Sequence, residues 1–319
     1  MPSHLRALKV PLACTRLYTH TTTRPTSIRA QKWLCGFSNR GFYRFSTFRM
    51  ATSKEPGYAD IAAAADDPNE DAGGAHGANE ETPRPRWIAT LERNVAKNRK
   101  LPYAKYIQLA TVAADGTPRC RTVVYRGLRR ELKKPQRLTD DLVFCTDRRS
   151  EKMQQLSQNI ATEICWYFPE SREQLRIQGR CFLVGGDETS PQVAADGIRE
   201  VSDNLPPSAS DLVKLRRSLW KAMSEGAREQ FDWAHPKAPL GSGEVAEKEC
   251  DEDGVSENFV YALVVPSYVD HLTLKGNPQT RSVHYRDGCA DAKSRALSVL
   301  PGDQLNEVVG GWTSLSVNP

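Results

Sequence analysis

At 319 residues, 39% hydrophobic and with a mean hydropathy of −0.56, the chain has room for one large domain or two small ones, but too little apolar content for all of it to pack. Its formal net charge of +5 is unevenly spread: residues 1–49 carry seven Arg, two Lys and no Asp or Glu, a local +9 that leaves −4 for residues 50–319. A mildly acidic body lacks the basic footprint of a nucleic-acid binder, and no apolar run reaches the length of a membrane span, so neither partner is expected.

The first segment is also rich in hydroxyls, with Thr19 and Thr21 to Thr23 around His20. An Arg-rich, Ser/Thr-rich and acid-free composition predicts an organellar transit peptide over residues 1–49, addressed to mitochondrion or plastid. A secretory signal is not expected, because the apolar core of roughly 7–15 residues is missing. Met50, followed by Ala51 and Thr52, offers an internal start that would give a cytosolic form. Residues 50–82 are acidic, rich in Ala and Gly, and nearly free of large apolar groups. Such a stretch cannot offset the entropy of ordering and predicts a disordered linker. One ordered domain is expected over 83–319.

Within it, Trp87, Leu91 and Val95 recur at four-residue spacing and predict a helix that stops before Pro102. Tyr106 to Val112 reads as a strand running to Asp115-Gly116, a hairpin signal, with Arg119 to Arg126 as the returning strand. Asp141 to Thr146 is a third strand, and Ser150 opens a short helix carrying Met153 and Leu156. Thr162 to Phe168 and Gln174 to Val184 form the next pair, turning near Pro169. Five strands at short spacing predict an antiparallel barrel or sandwich. Asp211 to Phe231 reads as one helix through Leu212, Leu215, Leu219 and Met223, and the acidic stretch 239–258 as a mobile loop. Phe259 to Val265, Val269 to Leu274, Arg281 to Arg286 and Trp312 to Val317 complete a mainly β domain with flanking helices (α+β).

No metal site is expected: His235, His271 and His284 stand at no ligand spacing, and none of the eight Cys forms a C-x-x-C pair. Cys120, Cys145, Cys165 and Cys181 lie inside expected strands and read as small buried apolar groups. A G-x-S-x-G elbow, a G-x-G-x-x-G turn and a P-loop are all missing, which removes the usual hydrolase, nicotinamide and nucleotide-triphosphate classes. What remains is an anion site. Thr146 ends a strand, Asp147-Arg148-Arg149 turns, and Ser150 caps a helix with Lys152 in its first turn. Backbone N–H groups at a helix start favour an anion, and Lys152 adds a point charge. Arg121, on the neighbouring hairpin, can converge on the same group, and Gln174 can hydrogen-bond a flat heterocycle. The alternative at each position is ordinary: a plain N-cap, a surface arginine, a strand-edge amide.

Taken together, Arg121-Thr122-Val123-Val124-Tyr125-Arg126, then Phe144-Cys145-Thr146 with Ser150-Glu151-Lys152, then Gln174 with Gly179, resemble the flavin-binding motifs of the pyridoxamine 5′-phosphate oxidase family. Tyr106 to Thr111, Cys165 to Phe168 and Trp312-Thr313-Ser314 look like its plant pyridoxine/pyridoxamine 5′-phosphate oxidase 2 branch. The resemblance covers about residues 84–319 and is strongest over 103–184. It implies an FMN-binding split β-barrel, homodimeric, with FMN at the subunit interface. Arg121, Ser150 and Lys152 would hold the FMN phosphate. Thr122, Val123 and Val124 would contact the ring through their backbone, beside Cys145 and Thr146, with Gln174 at the polar edge. Ser224 and Glu225 would add a contact from the partner subunit.

The implied reaction is oxidation of a phosphorylated B6 vitamer, pyridoxamine or pyridoxine 5′-phosphate, to pyridoxal 5′-phosphate. Hydride passes from C4′ to the flavin, and O2 is the final acceptor. Arg126 and Arg281 would position the substrate. This chain departs from the family at four places: Arg126 stands for Lys, Glu151 for Arg, Val283 for the His of an Arg-x-His pair, and Ser316 for a terminal Arg. The departures leave FMN binding as the expectation and open two rivals for activity: another flavin-dependent reductase on the same fold, or an FMN- or pyridoxal-phosphate-binding protein without turnover.

Overall fold

The computed structural model describes residues 84–134, 137–185, 190–202, 205–240, 249–289 and 307–319. The expected transit segment and linker lie outside the described residues. Helix α1 (Arg86–Asn98) is followed by β1 (Tyr106–Val112), β2 (Pro118–Arg130), β3 (Leu138–Asp147), α2 (Glu151–Gln158), β4 (Ala161–Phe168) and β5 (Glu173–Val184). Then come α3 (Pro191–Val201), α4 (Ala209–Ala222), α5 (Glu225–Glu229), β6 (Phe259–Thr273), β7 (Thr280–Arg286), β8 (Glu307–Val309) and β9 (Trp312–Val317).

All strand pairs are antiparallel. They run in the order β3-β2-β1-β4-β5-β6-β7-β9-β8, and β3 also pairs with β6. That last pairing closes β1 to β6 into a six-stranded barrel. Strand β6 makes both the barrel and its extension: residues 259–264 pair with β3, whereas 268–273 pair with β7 on the same edge. The split falls at Pro266, which has no N–H to give a ladder, opposite a register shift between Gln178 and Gly179. A Cβ at Gly179 would sit 2.2 Å from the Val265 carbonyl oxygen, so only glycine lets the two strands approach here.

Alternation puts one side of each strand into the barrel. Ile107, Leu109, Val123, Phe144, Ile164, Leu175 and Ile177 fill it together with a ring stack, in which the Trp166 centroid lies 4.8 Å from those of Tyr125 and Phe168. Trp87 and Leu91 of α1 join this core, and Trp87 meets Trp312 of β9 edge-on at 5.3 Å. The first half of β6 is buried on both faces because α3 and α4 cover its outer side through Ala194, Ala195, Ile198 and Leu212.

Three expectations are corrected. The single helix over Asp211–Phe231 is two helices and a 3-10 turn: Met223 is extended and Ser224 starts α5, its hydroxyl accepting from Ala227 N. Of the stretch expected as a mobile loop, 241–248 lies outside the described residues, but 249–258 is tied down. Arg216 pairs with Asp251 at 2.8 Å, Arg148 reaches Glu249 at 3.4 Å, and Cys250 bridges Ser256. Among the cysteines Cys181 is buried, Cys145 and Cys165 are half-buried, and Cys120 is exposed, because its register places it on the outer face. Helix α3 was not expected; Gly197 in its middle lies too near the Phe182 ring for any side chain, 2.6 Å from a built Cβ.

Candidate functional site

The β2 register decides what each residue of the Arg121–Arg126 motif can touch. Arg121 and Val123 face inward opposite Leu109 and Ile107, while Thr122 and Val124 face outward opposite Gln108 and Tyr106. Val123 belongs to the barrel core, so any contact it offers a ligand is through its backbone. Arg121 sits at the barrel end, where the inward position turns polar. Its guanidinium donates to Thr111 Oγ1 at 2.6 Å and Gln155 Oε1 at 2.7 Å, and Thr111 donates to the same Gln155 oxygen at 2.7 Å.

Lys152 completes the cluster from the first turn of α2. Its Nζ donates to Thr146 Oγ1 and Ser150 Oγ, both at 2.8 Å. Ser150 occupies the N-cap position, but its hydroxyl donates to Asp147 O at 2.7 Å and does not cap an N–H of the helix. Burial, together with the positive charge of Arg121, pushes the Lys152 ammonium down to about 8. Burial likewise lowers Arg121 from its usual range. Two cations share a half-buried pocket with three hydroxyls and an amide oxygen, so the site is built for a multiply charged anion.

The turn before α2 is stiffened by its own charges. Arg149 grips Asp147 with Nη2 at 2.7 Å, its Nη1 donates to Trp233 O at 2.8 Å and its Nη2 to Phe231 O at 3.2 Å. These bonds tie Phe231 and Trp233 to the turn that starts α2.

The outward residues form a second surface. Across the sheet Thr122 faces Gln108, Gln108 faces Cys165, Cys165 faces Arg176, and Arg176 faces Asp270. Gln174 faces Leu272, which faces Arg281. Gln174 and Arg281 therefore share one face two strands apart, about 10 Å by inter-strand spacing. Arg281 is held there by Asp270, with Nε 2.8 Å from Oδ1, and the pairing raises its already high basicity. Arg126 lies against the Cys145 thiol, its Nε buried without a hydrogen-bond acceptor. Burial keeps Cys145 protonated, an effect that Arg126 and Lys152 only partly oppose.

Four of the expected cofactor residues come together, and the others share only the outward side of the barrel strands. Arg121, Thr146, Ser150 and Lys152 form the anion cradle. Thr122, Val124 and Gln174 stand at outward positions, as does Arg281, whereas Cys145 packs against the Trp220, Phe231 and Phe259 cluster with Arg126 beside it. Ser224 and Glu225 are apart: within this chain Ser224 serves as the α5 cap and Glu225 is exposed. Thr111 and Gln155 were not anticipated. The available signal was a hydroxyl at an inward strand position following Ile107 and Leu109, and an amide three residues beyond Lys152 on the face of α2 that carries Met153 and Leu156. Among the described residues no cluster of His, Cys, Asp or Glu could hold a metal ion.

A closed antiparallel barrel with an extension from β6 and an anion cradle at one end is the architecture of a flavin-binding split barrel. The donor set fits FMN: the cradle's two cations and three hydroxyls suit its terminal phosphate, whose charge would favour the ammonium form that burial disfavours at Lys152.

Comparison with known proteins agrees. The family model described as pyridoxamine 5′-phosphate oxidase, FMN-binding domain, matches residues 84–185, which span α1 to β5. Pyridoxine/pyridoxamine 5′-phosphate oxidase 2 of Arabidopsis thaliana is 30% identical over 193 residues, 60% of this chain and 84% of the plant one. The pyridoxine/pyridoxamine 5′-phosphate oxidase of Burkholderia multivorans is 26% identical over 158 residues, half of this chain and 67% of its own. A crystal structure from Nostoc punctiforme, of a pyridoxamine 5′-phosphate oxidase-related FMN-binding protein, superposes with a TM-score of 0.54 at 32% identity. It covers 74% of this chain and 99% of that one. The chain belongs to the pyridoxamine 5′-phosphate oxidase family, and its cofactor is FMN.

Proposed function

We propose that this protein oxidises pyridoxamine or pyridoxine 5′-phosphate to pyridoxal 5′-phosphate with O2 as acceptor, working as a homodimer. The observation that carries the reading is Arg126. It places a third cation, with an unsatisfied buried N–H, beside Cys145 and apart from the phosphate cradle, so a second anion can be held near the ring. Bound FMN supplies the hydride acceptor. The chain supplies position and charge: Arg121, Lys152, Ser150 and Thr146 hold the FMN phosphate, Gln174 and the backbone of Thr122 to Val124 orient the ring, and Arg126 orients the substrate phosphate. Arg281 is the second positioning residue, turned toward substrate from the neighbouring strand row and held in place by Asp270.

The Asp270 pair also favours a second reading. A neutralised Arg281 with Val283 beside it suits a less anionic substrate, as for another flavin-dependent reductase on this fold. One experiment separates the two: the purified protein, as a two-chain species on gel filtration, is assayed for O2-dependent formation of pyridoxal phosphate and peroxide from both phosphorylated vitamers. Arg126→Ala is expected to raise KM for both about 10- to 100-fold, the loss of one charge-assisted contact, with FMN retained. A yellow protein that forms no pyridoxal phosphate overturns the oxidase reading and leaves the flavoprotein standing.

The composition of residues 1–49 supports delivery to an organelle. A reporter fused to these residues is expected in mitochondria or plastids, and a diffuse cytosolic signal would refute this.

A further inference from the structure

Glu151 places an acidic side chain between Ser150 and Lys152, at the first position of α2, whereas the other acid of this turn, Asp147, is already gripped by Arg149. A carboxylate there suits the helix dipole but repels a phosphate dianion bound one residue away. The structure shows what counters it. Lys237 Nζ is ion-paired with Glu151 Oε1, and this pairing is the leading cause that holds the Glu151 carboxyl below its usual range, ahead of Arg119 and Arg121. Lys237 is 86 residues further along the chain and reaches this point for structural reasons. Arg149, in the turn that starts α2, holds the carbonyls of Phe231 and Trp233, and Asn258 Nδ2 donates to Phe231 O at 2.9 Å. A tight turn follows, with Ala238 N donating to His235 O at 2.9 Å, and Lys237 itself takes a left-handed backbone with φ of 69°. A lysine pays roughly 1 kcal/mol or more for that conformation, so the turn is bent against local preference to present this side chain.

We propose that Lys237 is a positioning residue for the FMN phosphate: by neutralising Glu151 it lets a cradle that contains a carboxylate bind a dianion. The inference rests on the cradle being the FMN phosphate site. Segment 230–240 is thereby part of the cofactor site, anchored by Phe231, whose ring packs 5.2 Å from that of Phe259 on β6.

The test is flavin binding by the full-length protein, read by fluorescence quenching with FMN and with riboflavin, which lacks the phosphate. Lys237→Met is expected to weaken FMN about tenfold at low salt, one exposed charge lost next to a dianion, with riboflavin unchanged. Because the effect runs through Glu151, the double variant Lys237→Met/Glu151→Gln should restore FMN affinity to within about twofold of the parent. Lys237→Arg should keep it. Unchanged FMN affinity in Lys237→Met, equal losses for FMN and riboflavin, or failure of Glu151→Gln to rescue would each overturn the proposal. Should the parent protein bind riboflavin as tightly as FMN, the phosphate assignment of the cradle fails first, and that outcome is distinct from all three.

Discussion

Lys152→Met is expected to weaken FMN binding by about 10- to 100-fold and to remove the alkaline limb of its pH dependence. The size follows from losing one charge-assisted contact to a dianion in a partly dry site, roughly 1.5–3 kcal/mol, at 1.4 kcal/mol per tenfold. The pH dependence follows from the depressed ammonium. In the ligand-free fold Lys152 titrates at about 8, below the ordinary lysine range, because burial and Arg121 disfavour its charge. The unfolded chain therefore binds more protons than the native one between about 8 and the ordinary lysine pKa of roughly 10.4, so this group makes ligand-free stability rise with pH through that window. Binding has the opposite sign. A phosphate dianion restores the charged ammonium, so above pH 8 the complex must take up a proton and FMN affinity falls. On the acid side, affinity falls as the phosphate itself protonates near pH 6. Titrating FMN from pH 5.5 to 9.5 should show a plateau between these limits in the parent protein. The methionine variant should show a lower curve whose alkaline side is flat. An alkaline limb of the same size in both proteins would remove Lys152 from the cradle. Arg121→Met should lose affinity comparably but keep the alkaline limb, displaced upward, because its charge is one cause of the Lys152 depression.

The cradle shows which features a linear reading captures. Arg121, Thr146, Ser150 and Lys152 were legible because each stands at an element boundary, where strand alternation or a helix start dictates direction. Thr111 and Gln155 were hidden by context. Each sits in an otherwise apolar inward pattern, and only the meeting of β1 with α2 shows that this end of the barrel is polar. Long-range ion pairs were illegible for the same reason. Asp270 and Arg281 meet across the β6–β7 hairpin, and Glu151 meets Lys237 only through the grip of Arg149 on a distant segment. Strands with alternating or continuously apolar sequence, β1 to β5, β7 and β9, were found, whereas β6 was read as two strands, 259–265 and 269–274, because Pro266 interrupts its pattern. Helix α3 was not, because it buries only three side chains and carries Gly197 where it crosses Phe182. The break after Met223 had a signal in Ser224-Glu225, a helix-start pair that the run of leucines before it outweighed.

Asp140→Ala is expected to destabilise the fold by about 3–5 kcal/mol, the cost of leaving a buried cation without its partner. Asp140 is 1% exposed at the start of β3 and joins the barrel to its extension. Its Oδ2 accepts from Trp312 Nε1 at 2.6 Å and lies 3.1 Å from Arg286 Nη2. Arg286 is buried too, stacks 4.9 Å over the Trp312 ring, and donates from Nε to Pro266 O at the split in β6. One carboxylate thus answers a charge on β7 and an indole on β9, while the same indole packs on Trp87 of α1. For a domain of this size each kcal/mol moves Tm by about 2–4 °C, so the apoprotein should melt roughly 6–20 °C lower. Asp140→Asn keeps an acceptor for Trp312 and loses only the charge, and should fall between the variant and the parent. The functional consequence is selective. The cradle is built from β1, β2, β3 and α2, whereas Arg281 stands on β7, the strand that Asp140 secures through Arg286. Below its melting temperature the alanine variant should therefore bind FMN normally and handle substrate poorly, with KM raised more than the flavin Kd. A variant that melts with the parent would show that Arg286 finds another partner. One that loses FMN and substrate binding in equal measure would show that barrel and extension do not separate as the site geometry requires.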